Sequence, residues 1–75
     1  MSFAYCTLFG LDQRWHVAID QTDDTSRSFL SFEDALSHAL AIGRRRSDAA
    51  GKPCLLRIQS PAGEWRSEIV EARAQ

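Results

Sequence analysis

Two histidines and two cysteines are the most reactive side chains of this sequence: His16, His38, Cys6 and Cys54. Imidazole and thiolate serve as general base and nucleophile when a third group orients the base within hydrogen-bond reach. The spacing here offers no such set. His38 follows Asp34 by four residues in a helical pattern, where a local ion pair accounts for it. His16 falls on the polar side of an alternating segment, and no cleft-forming loop adjoins either ring. No catalytic residue is expected, and the chain does not read as an enzyme.

The same four side chains are the candidate soft-metal ligands. Neither CxxC nor HxxxH spacing occurs, and such local pairs are what bring zinc ligands together. Asp20, Asp23 and Asp24 are hard-metal ligand types, but their segment lacks the ordered positions, central Gly and terminal Glu of a calcium loop. The four glycines are isolated, so there is no phosphate-cradling loop. No metal and no cofactor is expected. Two cysteines are too few for a disulfide scaffold, so buried free thiols are the expected state, with a single bridge as the alternative.

Charge narrows the partners. Nine Lys and Arg stand against ten Asp and Glu, a net charge of −1. That balance gives no bulk drive toward nucleic acid or anionic lipid. Arg44, Arg45 and Arg46 form the one cationic run and are the candidate nucleic-acid contacts. The same run suits the later turns of a helix, where cations complement the dipole and Arg44 can pair with Asp48. No apolar run approaches the roughly 20 residues of a membrane span. Residues 1–6 lack a basic region followed by an apolar core. No membrane partner and a cytoplasmic location are expected.

These residues must be positioned by a single domain over residues 1–75, since 75 residues suffice for one core and not two. Residues 3–9 favour a strand. Residues 14–20 alternate, with Trp15, Val17 and Ile19 on one side, the period of a half-buried strand. Gly10-Leu11-Asp12-Gln13 joins them as a turn. A short third strand is expected over 27–30. Ser31 then reads as a helix N-cap, with Glu33 and Asp34 in the first turn. Phe32, Ala35, Leu36, Ala39, Ile42 and Gly43 recur at helical spacing, with Leu40 at the edge of the stripe. Gly51 and Pro53 favour a helix over 32–50 rather than a stop at Gly43. Two further strands, 54–58 and 64–70, flank Ser60-Pro61-Ala62-Gly63. The expected fold is α+β: two layers in the order ββ(β)αββ, a mostly antiparallel sheet of four to five strands with one helix on one face.

Hydrophobicity suggests the hairpin registers. Pairing Gly10 with Gln13 sets Leu8, Cys6 and Ala4 opposite Trp15, Val17 and Ile19. Pairing Gln59 with Glu64 sets Ile58, Leu56 and Cys54 opposite Trp65, Ser67 and Ile69. The helix covers that face. The other face then carries Phe3, Tyr5, Phe9, Arg14, His16, Leu55, Arg57 and Arg66. Exposed apolar patches on small monomers mark interfaces, and aromatics and Arg are enriched there. The expected function is an interaction module that forms a homodimer or binds another protein through this face. The alternative is a single-stranded nucleic-acid-binding module that stacks bases on the same aromatics with help from Arg44–Arg46.

Trp15-x-Val17, Ser31-Phe32-Glu33-Asp34-Ala35-Leu36-x-x-Ala39 and Gly63 in the last hairpin carry a resemblance. From about Arg14 to Glu68 the sequence resembles a family of short bacterial proteins known as a domain of unknown function. Ser31 and Asp34 stand where that pattern favours Thr and Glu. The resemblance implies an α+β fold and no activity or site residues. A second similarity is to the N-terminal domains of antitoxin components of small toxin–antitoxin pairs, which implies an antitoxin-like regulator.

Overall fold

A computed structural model of the chain describes residues 3–19 and 27–71. The segment that carries Asp20, Asp23 and Asp24, residues 20–26, lies outside them. The alternating segments form β1 (Ala4–Leu11), β2 (Arg14–Ile19) and the short β3 (Arg27–Phe29). After the helix α1 (Phe32–Ala50) come β4 (Cys54–Gln59) and β5 (Trp65–Val70). The five strands make one sheet in the order β3-β2-β1-β4-β5. Three neighbouring pairs are antiparallel. β1 and β4, at the centre, are parallel, with Ala4 beside Cys54 and Leu8 beside Ile58. A parallel pair needs a crossover, and α1 is part of it. The fold is α+β, with the helix packed on one face of the sheet.

The first hairpin turns later than hydrophobicity suggests. Leu11 pairs with Arg14 and Leu8 with Val17, because the turn is the two-residue Asp12-Gln13. Both residues have positive φ, 55° and 64°, the geometry that matches strand twist in a two-residue loop. The register moves by two residues, so each side chain keeps its face. Ala4, Cys6, Leu8 and Val17 are all buried beneath the helix. Gln13 holds a left-handed conformation that costs a side chain about 1 kcal/mol. Gln13→Gly is therefore expected to raise stability by up to about that amount, measured as a higher urea midpoint.

The second hairpin differs by one residue, and this changes faces. Gln59 pairs with Trp65, Leu56 with Glu68 and Cys54 with Val70. The Gly63 N–H donates to the Ser60 carbonyl at 2.8 Å, and the Ser60 N–H donates to the Glu64 carbonyl at 2.7 Å. The loop is thus Pro61-Ala62-Gly63, with Gly63 at φ 91°, a conformation open to glycine. The Ser60 hydroxyl accepts from the Ala62 and Glu64 N–H groups and holds the turn closed. The three-residue loop places Trp65, Ser67 and Ile69 away from the helix, and Arg66, Glu68 and Val70 toward it. The expected inward placement of Trp65 and Ile69, and the outward placement of Arg66, are both corrected.

The helix begins and ends where the caps require. Ser31 is extended (φ −119°, ψ 147°) and its hydroxyl accepts from the Asp34 N–H at 3.0 Å. Gly51 is left-handed, and its N–H donates to the Ser47 carbonyl at 2.9 Å. The last turn holds no basic residue. Arg44–Arg46 stand before it, beyond the reach of the dipole effect, which fades outside the final turn. The buried stripe of the helix is Ala35, Ala39, Gly43 and Ser47, every fourth residue and all small. A Cβ on Gly43 would stand 3.4 Å from the Val70 side chain, so the helix runs close over the start of the sheet at its C-terminal end. At its N-terminal end Phe32 meets Trp15 edge to face, with ring centroids 5.0 Å apart. The helix thus crosses the sheet diagonally, from β2 to the end of β5.

Candidate interaction surface

Alternation along each strand turns every second residue of the sheet away from the helix. The registers sort those residues into rows. Tyr5 lies beside Leu55, and Leu55 beside Ile69. Thr7 separates Ala18 from Arg57, and Arg57 faces Ser67. Phe9 faces His16 and Gln59 faces Trp65. The first row is apolar across three strands. Tyr5 is 41% exposed, Ile69 59% and Trp65 52%, while Leu55 is half-buried. The Arg57 guanidinium sits 5.8 Å from the centre of the Trp65 ring, a cation–π contact within the chain.

Of the residues expected on this face, Tyr5, Phe9, Arg14, His16, Leu55 and Arg57 share it, Arg14 as an exposed residue at the start of β2. Phe3 precedes β1 and is half-buried. Arg66 is on the other side, where its Nη1 meets Glu68 Oε2 at 3.2 Å. The sequence reading missed Trp65 and Ile69. Their signal was Pro61-x-Gly63, the spacing of a three-residue hairpin loop, which outranks hydrophobic alternation in setting register. Alternation misled because the helix reaches β5 only at Val70, so both sides of this edge strand meet solvent.

His16 is stacked on Phe9 at 5.3 Å between centroids. Its Nε2–H donates to the Leu11 carbonyl at 3.2 Å, which fixes the ring in place. His38 meets Phe29 at 5.1 Å instead of turning to Asp34. Partial burial lowers its pKa from the usual 6.5, and the Arg27 and Arg45 charges add to that. The folded state thus binds the proton less readily than the unfolded chain. Its contribution to stability is whole above about pH 6.5 and declines as the pH falls below that value. Comparing urea midpoints near pH 7.5 and 5.5 should show a slightly smaller acid loss in His38→Gln than in the parent.

Cys6 and Cys54 are buried under the helix as thiols with no disulfide between them, two residues apart in register on β1 and β4. Among the described residues no three His, Cys, Asp or Glu side chains gather. A shallow depression of about 330 Å³ lies between the two hairpin turns, and Arg14 is its only charged lining residue. The nearby Gly10 N–H donates to Gln59 Oε1 at 2.9 Å. Among the described residues no helix is long and apolar enough to cross a membrane.

Compared with protein-family models, with curated proteins and with solved structures, the chain matches none. The surface itself is therefore the basis for any functional reading.

Proposed function

We propose that this chain is a non-enzymatic interaction module that binds a second copy of itself on the β4–β5 side of its open sheet face. The observation that carries this reading is the apolar row Tyr5–Leu55–Ile69, with Trp65 above it. Large apolar groups at this density on so small a surface favour contact with a partner. The Arg57–Trp65 pair adds the residue types that anchor interfaces. A cytoplasmic location belongs to the same reading, because two cysteines not joined in a disulfide suit a reducing compartment.

Nucleic acid is the weaker partner on geometric grounds. Arg44–Arg46 belong to the helix layer, whereas the aromatics line the sheet face turned away from it. One strand could not track both. Sedimentation equilibrium with reductant present tests the proposal. A concentration-dependent dimer is expected, and Trp65→Ser with Ile69→Ser should weaken it at least about tenfold while leaving the fold intact. An unweakened dimer in the folded double variant overturns the role of this surface. A strict monomer that binds single-stranded nucleic acid in a steeply salt-dependent way would favour the other partner.

A further inference from the structure

The two edges of the sheet are not alike. Among the described residues β3 is three residues long, which blunts it as a template. β5 is six regular residues with neither Pro nor Lys, and among the described residues it has a neighbouring strand on one side only. Such an edge presents unpaired N–H and C=O groups to another strand. We infer that two copies join edge to edge through antiparallel β5 strands, with Ser67 facing Ser67 of the second copy across a two-fold axis normal to the sheet. The inference rests on the self-association proposed above and specifies how the copies meet.

The sequence of β5 selects this register. A two-fold axis normal to the sheet keeps faces together, so each residue must face one of the same parity. Centring the axis on Arg66 would set two arginines against each other. Centring it on Glu68 would oppose two glutamates. Like charges directly opposite are unfavourable. Centring it on Ser67 brings Arg66 of each copy opposite Glu68 of the other, on the helix side. The two residues are already 3.2 Å apart within the chain, so pairing closes a symmetric ring of four alternating charges. On the open side the same register sets Trp65 of each copy opposite Ile69 of the other. Both are more than half exposed in the single chain. The row Tyr5–Leu55–Ile69 then continues onto the neighbour's Trp65, itself held by its own Arg57.

Charge reversal with rescue tests the register. Arg66→Glu and Glu68→Arg should each weaken the dimer roughly 10- to 100-fold, since each sets like charges opposite at two symmetric places. Combining them should restore the parent affinity. Ser67→Cys should cross-link under mild oxidation, because the Cα atoms of directly facing residues lie within disulfide range. Trp65→Cys and Ile69→Cys should not, since each lies about 13 Å from its own copy in this register. Cys6 and Cys54 are fully buried and do not compete. A parent dimer whose affinity ignores the reversals, or whose Ser67→Cys variant stays uncross-linked, overturns the register and leaves self-association standing. A parent that is monomeric throughout overturns both.

Discussion

Leu56→Ala is expected to lower the stability of the fold by about 3 kcal/mol. Leu56 is completely buried, between Cys6 on β1 and Glu68 on β5, beneath the helix. Truncation removes three carbons from water-free surroundings and leaves a void that the flanking strands cannot close without breaking their ladders. A domain of this length has about 4–11 kcal/mol in all, so the loss is a large fraction of the total. Urea unfolding should show a lower midpoint with an unchanged slope. A loss below about 1 kcal/mol would mean that the core collapses onto the gap.

Ala39→Leu acts in the opposite sense and is expected to cost about 2–3 kcal/mol. Ala35, Ala39, Gly43 and Ser47 form a ridge with a period of four, the row that helices use in close packing. Ala39 has no exposed surface, so three added carbons must push the helix away from the sheet and loosen Phe32, Leu36 and Ile42 with it. Ala49→Leu, on the exposed side of the same helix, should change stability by no more than about 0.5 kcal/mol. Equal effects at the two positions would show that helix propensity, not close approach, governs the site.

The contrast between hairpins explains what the sequence disclosed. The start of the helix was legible because its Ser31 cap is local; its end was legible only approximately, since Gly43 and Gly51 were both candidate stops and the left-handed cap falls at Gly51. The first hairpin was legible as to faces, since a two-residue shift leaves alternation intact. The second was not, because its register depends on hydrogen bonds inside the Ser60–Glu64 turn, while the apolar pattern of Trp65 and Ile69 pointed inward. Alternation reports burial only where a second layer exists, and β5 lies mostly outside the helix's shadow. The strand order, with β1 beside β4, was not legible at all, because no local pattern encodes which distant strands become neighbours. The open face inherited both results. Tyr5, Phe9, Arg14, His16, Leu55 and Arg57 were placed correctly by strand periodicity, and Arg66 was exchanged for Trp65 and Ile69 by a single residue of loop.

The parallel seam between β1 and β4 also governs the order of assembly. β1 meets β2 after a two-residue turn, and hairpins of that kind form within about 10 μs. Its other side must wait for β4, since Ala4 finds Cys54 only after nearly the whole intervening chain has been made. At synthesis rates of roughly 5–20 residues per second, that edge stays open for seconds on the ribosome. Closing so long a loop makes the seam the slow step of folding, because non-local pairings must bear the loop's entropy before their contacts form. The strand at the middle of the sheet is therefore the first to be synthesised and among the last to be completed.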